Sequence, residues 1–185
     1  MNTKRKLSLR AYAAWNYDKE ENDLDRYSQN GWQLIKGGCF HSVFEKDNSV
    51  CYRNRIDFNP KILSDKNEKE RYINSFEEMG WKFINVTFNG WCYFKKLCSE
   101  TSNEVDYEIY SDKASYVEML KRWMKLGTAA ITIEIILCVL YLIQYFIHRE
   151  LVFLFGTIIF AAIIFWIKSG MNKMIEKMNE NHKSC

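Results

Sequence analysis

The chain has 185 residues, a formal net charge of +3 and 48% hydrophobic residues, enough for one folded domain and a smaller appendage. Residues 1–120 carry 18 Lys/Arg against 19 Asp/Glu, and residues 121–185 carry 8 against 4. The basic surplus therefore sits at the C-terminal end, and the N-terminal two thirds lack the charge footprint of a nucleic-acid binder.

In chain order, residues 6–15 alternate, with Leu7, Leu9, Ala11, Ala13 and Trp15 on one side, which predicts a strand with one buried face. Residues 18–30 open on acids, carry Leu24 and Tyr27 at helical spacing and end at Asn30-Gly31. Early acids suit a helix N-terminus, and glycine supplies the left-handed stop. Residues 32–36 predict a short strand, Gly37-Gly38 a hairpin turn and residues 39–46 the return strand. Residues 50–58 alternate again, with Val50, Tyr52, Asn54, Ile56 and Phe58 facing one way, and Asn59-Pro60 ends the run. A helix is expected near 66–79, then Gly80-Trp81, a strand to Phe88, and a return strand over 91–97. Asn89-Gly90 between the two apolar runs is a strong hairpin signal.

The order strand, helix, Gly-Trp, hairpin thus occurs twice, 49 residues apart, at Gly31-Trp32 and Gly80-Trp81. Two βαββ units predict an α+β head with an antiparallel sheet and both helices on one face. In each unit the glycine ends the helix and the tryptophan folds back over the helix–sheet seam. Structural core is the first reading of these four residues, and a tryptophan-lined pocket is the alternative.

Residues 98–111 are polar, and 107–110 are read as a possible edge strand. Ser111 is expected to cap a juxtamembrane helix over 111–125. Residues 126–167 are apolar almost throughout and are broken once, at His148-Arg149-Glu150. The 22 residues before the break and the 17 after it match the roughly 20 that cross a bilayer core of about 30 Å. A two-helix transmembrane hairpin is therefore predicted, with the lipid bilayer as its partner. Lys121, Arg122 and Lys125 precede the first span and Lys168, Lys173 and Lys177 follow the second. That bias predicts a multi-pass cell-membrane protein with both termini cytoplasmic. No apolar run of a signal peptide opens the sequence. The tail, 168–185, is expected to form a basic amphipathic helix on the inner leaflet. The domain expectation is a cytosolic head over 1–110, the juxtamembrane helix, the hairpin and this tail.

The six cysteines make no CxxC pair and the three histidines are scattered, so no metal site, disulfide framework or other cofactor is expected. No P-loop, dinucleotide fingerprint or catalytic triad is visible, and the protein is read as non-enzymatic. Two sets of residues remain candidates. Glu134 lies nine positions past Lys125, about 13 Å into the hydrocarbon, where a carboxylate must be protonated, paired or turned to a polar contact. Thr157 or a second copy would be its partner. Arg10, Arg53 and Arg55 are placed on the sheet face without helices, as a possible anion or partner surface.

The Asn-Gly-Trp-x-Leu after an acidic helix, the second Gly-Trp hairpin and Ile-Tyr-Ser-Asp-Lys-x-Ser before two spans resemble a bacterial family. It is a domain of unknown function, mainly from Gram-positive bacteria and often encoded beside PadR-type transcriptional repressors. The resemblance covers about residues 5–123 and implies a regulatory or stress-response setting. It supplies no catalytic residues. The expected function is a membrane-anchored regulatory or sensory protein with an unknown protein partner, a possible homodimer, and no nucleic-acid ligand. The alternative is an accessory subunit of a membrane transporter that uses Glu134 as an ion, proton or helix contact.

Overall fold

A computed structural model describes residues 4–99, 103–110 and 112–183. Ser111 and Cys185 lie outside them. The elements run β1 (Arg5–Leu9), α1 (Tyr17–Gln29), β2 (Trp32–Lys36), β3 (His41–Lys46), β4 (Tyr52–Phe58), α2 (Lys66–Glu78), β5 (Lys82–Val86), β6 (Trp91–Leu97), α3 (Lys113–His148) and α4 (Leu151–Lys183). The fold is α+β, as expected. The chain divides into two compact units, residues 1–119 and 120–185, and the division falls inside α3.

In the first unit the strands form two three-stranded antiparallel sheets, ordered β1-β3-β2 and β4-β6-β5. Each is one βαββ repeat. β1 and β2 both pair antiparallel with β3, so they run parallel to each other and α1 is the crossover between them. The second repeat copies this down to its irregularity. A bulge lies between Leu34 and Lys36 in β2 and between Phe83 and Asn85 in β5, 49 residues on. The two sheets meet where Asn85 clasps Gly37: the Gly37 N–H donates to Asn85 Oδ1 at 2.8 Å, and Asn85 Nδ2 donates to the Gly37 carbonyl at 2.9 Å.

Both predicted helix stops are in place, with Gly31 at φ 74° and Gly80 at φ 82°, a conformation only glycine adopts cheaply. Helix α2 packs on its sheet through Phe76, whose ring centroid lies 4.5 Å from that of Phe94. Trp81, Ile62, Cys92 and Ile109 complete that core. Helix α1 rests on its own sheet through Tyr27 against Phe44 at 4.5 Å.

Three local expectations change. The strand starting near residue 6 stops at Leu9, and Ala14–Asn16 form a 3-10 turn that buries Trp15. Residues 107–110 form no strand: Glu104–Tyr107 is a 3-10 turn. Tyr107 is buried there, and its hydroxyl accepts the Ser99 N–H at 2.7 Å. Helix α3 is capped by Asp112, whose carboxylate accepts the Ser115 N–H at 2.8 Å.

The second unit is made of long apolar helices. Helix α3 continues without a break past Gly127, and the corner is Arg149-Glu150, with Arg149 in the left-handed region at φ 57°. Both α3 and α4 contain a window long and apolar enough to cross a membrane, of which 6% and 0% is buried within the protein. Inside the pair Tyr141 lies between Phe153 and Phe160, at 6.0 and 5.0 Å. The tail is no separate helix but the end of α4. Its Met171 approaches Gly127 of α3 and Met174 is fully buried, so the methionine face packs on protein.

Candidate functional site: a cationic aromatic cleft on the first repeat

The alternation of β1 puts Lys6, Ser8 and, just beyond the strand, Arg10 on the side opposite Leu7 and Leu9. On α1 and its C-cap, Asp23, Arg26, Tyr27 and Asn30 recur at helical spacing and share a face. Trp32 follows the Gly31 stop directly. These residues converge on one cleft of about 360 Å³, lined by Lys6, Arg10, Asp23, Arg26, Tyr27, Asn30 and Trp32.

Cations cover its aromatic floor. The Lys6 ammonium lies 4.8 Å from the Tyr27 ring centre and 5.6 Å from that of Trp32, the Lys46 ammonium lies 5.2 Å from Trp32, and the Arg10 guanidinium lies 5.5 Å from Tyr27. Asp23 is the one acid of the cleft wall. It takes hydrogen bonds from Arg10 at 2.7 Å, from Arg26 and from the Tyr12 hydroxyl. Burial works to raise its carboxyl, but Tyr12 and the two arginines outweigh that and hold it below the usual range. One carboxylate thus faces Lys6, Arg10 and Arg26, and the cleft keeps a positive surplus over a flat apolar surface.

The predicted arginine trio is divided. Arg10 belongs to this cleft. Arg53 and Arg55, expected on a helix-free face, instead reach Asp25 of α1 at 3.4 and 3.0 Å. Asp25 is one of three acceptors on a second face of α1 that cover the outer edge of β4. The Ile56 N–H donates to Glu21 Oε1 at 2.7 Å, the Asn54 N–H to Asp25 Oδ1 at 2.6 Å and the Tyr52 N–H to Ser28 Oγ at 2.7 Å. Positions 21, 25 and 28 follow the helix repeat while 52, 54 and 56 follow the strand repeat. One helix face thus takes three alternate N–H groups of a strand edge. Burial raises Glu21 to about 8, with the Arg55 charge and the Ile56 N–H opposing. It also raises the neighbouring Glu20 to about 7 against the hydrogen bond that Tyr93 donates at 2.8 Å.

The tryptophans of the two repeats also part ways. Trp81 is 2% exposed and sits in the core, whereas Trp32 is half-buried and lines the cleft. Glu134 lies in the apolar part of α3. Its Oε2 is buried and has no hydrogen-bond partner among the described residues. Thr157, the expected partner, donates its hydroxyl to the Phe153 carbonyl of its own helix at 2.9 Å. Sequence reasoning missed Lys6, Asp23, Arg26 and Tyr27. The signal was the cation alternation Lys6–Arg10 beside a helix face holding both an aromatic and an arginine. Among the described residues, no group of three or more His, Cys, Asp or Glu could hold a metal ion.

Residues 16–132 match the model of a family described as a protein of unknown function, DUF2812. No curated protein matches the chain, and no solved structure does.

Proposed function

The chain belongs to the DUF2812 family, and from that premise we propose that it is a non-enzymatic, membrane-anchored sensory or regulatory protein. Its head binds a small anion with a flat apolar part in the Lys6–Arg10–Trp32 cleft. The carrying observation is the cleft itself, cations stacked on two rings with a single, fully engaged carboxylate. An anion placed there gains charge-assisted hydrogen bonds and covers aromatic surface in one step.

The anchor rests on the apolar helices. Apolar surface of this extent, almost none of it covered by protein, is stable where lipid covers it. In this reading both termini face the cytoplasm and the regulatory partner is a protein on that side. A PadR-type repressor is the kind of partner that the family resemblance suggests. The test uses the full chain in detergent micelles, titrated calorimetrically with 1-naphthoate and with inorganic phosphate. Binding of naphthoate, weakened about tenfold or more by Arg10→Ala and by Trp32→Ala, is the expected result. Naphthoate binding that both variants leave intact would end the assignment. Extraction of membranes with alkaline carbonate examines the anchor, which requires the chain to stay in the pellet.

A second reading, an accessory subunit of a transporter, draws on the buried and unpartnered Oε2 of Glu134. An ionisable group inside an apolar span is a functional candidate by its energetic penalty alone. Loss of a transport phenotype in Glu134→Gln, with membrane insertion unchanged, would favour this reading over the first.

A further inference from the structure

The helix of the first repeat covers the leading strand of the second, β4, through Glu21, Asp25 and Ser28. The second repeat has a helix with the same layout, and no third repeat follows it among the described residues. Adding 49 to those positions gives Glu70, Asn74 and Glu77, which are all hydrogen-bond acceptors and all exposed on α2. The first repeat has the complementary lack. Subtracting 49 from Asn54, Ile56 and Phe58 gives Arg5, Leu7 and Leu9 of β1, the outer strand of its sheet.

The registers confirm the equivalence. Leu7 faces Val43 in β3 and Ile56 faces Tyr93 in β6, each one residue before the paired Phe44 or Phe94. The burial of the two strands differs completely. Ile56 and Phe58 are 1% and 0% exposed, whereas Leu7 and Leu9 are 59% and 77% exposed. An open strand edge with apolar side chains is a pairing surface that proteins cover.

We propose that a second copy of this chain covers it: α2 of one copy docks along β1 of the other, repeating between chains the α1–β4 junction within the chain. The N–H groups of Arg5 and Leu7 would donate to Asn74 and Glu70, as those of Asn54 and Ile56 donate to Asp25 and Glu21. Charge complements the geometry. Lys4, which the cleft does not use, stands where Arg53 stands in β4, and it would meet an α2 face that carries Glu70 and Glu77. Each copy offers one helix and one edge, so two reciprocal docks close a twofold dimer.

The test places the photocrosslinker p-benzoylphenylalanine at position 7 of the full chain in detergent micelles. Isotopically light and heavy copies are mixed so that interchain adducts are told apart by mass. Light–heavy adducts mapping to residues 70–77 are expected. They should fall about tenfold when Glu70→Lys and Asn74→Lys, both exposed and far from the core, are combined, with the circular dichroism spectrum unchanged. Adducts confined to the chain's own residues, interchain adducts only within 120–183, or no interchain adduct at all would each overturn the proposal. The third outcome would mean a head that does not self-associate, and the second a dimer held by its apolar helices alone.

Discussion

The two βαββ repeats share a strand order, a bulge and a glycine stop, yet they use the same positions for different ends. In the second, the tryptophan after the stop is buried with Phe76 and Phe94, and the leading strand is sealed by a neighbouring helix. In the first, the tryptophan opens onto a cationic cleft, and the leading strand is bare. Duplication supplied two equal scaffolds, of which one became the core and the other kept exposed the surface that a ligand or partner needs. Function on a duplicated fold is therefore sought where the repeats differ.

The widest separation between the repeats is expected at the tryptophans. Trp81→Ala empties a site in the packed core and should destabilise the head by about 4 kcal/mol. Trp32→Ala removes a half-covered ring and should destabilise by roughly 1 kcal/mol or less, while weakening binding in the cleft. Guanidinium unfolding of the full chain in micelles, followed by circular dichroism, measures both. Equal losses would mean that the first tryptophan is core as well.

How far the sequence carried follows from the same residues. Period-two alternation marks β4, the Asn89-Gly90 turn between two apolar runs marks β6, and glycine after a run of helical spacing marks both helix stops, because these signals are local. The separation into two sheets was not legible, since it depends on which strand edges meet across the repeats, through contacts such as Asn85 with Gly37. The α1–β4 junction was hidden for a different reason. Glu21, Asp25 and Ser28 look like ordinary solvated positions on a polar helix. The clue lay in the strand, where Asn54 interrupts an otherwise apolar row of Tyr52, Ile56 and Phe58. A polar side chain in a buried row requires a partner, and here Asp25 supplies it for the Asn54 amide N–H. The cleft is half visible in the sequence: Arg10 and Trp32 each stand out there, for separate reasons, but nothing local joins them.

The junction should give the next largest contrast. Asp25→Ala removes the acceptor for the Asn54 N–H and for Arg53 and Arg55. Loss of the carboxylate that two half-buried cations share, together with the acceptor of a buried N–H, should cost about 3 kcal/mol. Its counterpart Asn74→Ala, on an exposed helix face, should change the stability of the dilute monomer by less than about 0.5 kcal/mol.

The pH dependence of stability should also single out α1. Glu20 and Glu21 are raised by burial to about 7 and about 8 in the folded head, above the ordinary carboxyl value of 4.5 that the unfolded chain has. Between these values the folded state holds more protons than the unfolded state. Their contribution is therefore fully present below about pH 4.5 and is lost as pH rises through 7 to 8. From pH 5 to pH 6 alone the head should lose on the order of 2 kcal/mol, read as a falling Tm. Glu20→Gln with Glu21→Gln should flatten that slope, since neither amide titrates. A slope that survives the double substitution would point to other groups.

The smallest effect sharpens the comparison most closely, because it concerns a position where both repeats carry glycine in the same backbone conformation. Gly31 and Gly80 both hold φ near +80°, so Gly→Ala at either should cost about 1 kcal/mol in backbone strain. Their surroundings differ. A Cβ at Gly80 would stand 3.4 Å from the end of the flexible Lys96 side chain, an ordinary contact. A Cβ at Gly31 would fall 1.9 Å from Asn48 Oδ1 and 3.0 Å from Lys46 Nζ. Asn48 would have to turn away, and Lys46 would have to shift from its place over Trp32. Gly31→Ala should therefore weaken ligand binding in the cleft in addition to lowering Tm, whereas Gly80→Ala should lower Tm alone. If the two variants proved equal in both measurements, the cleft would not depend on the lysine that the first glycine leaves in place.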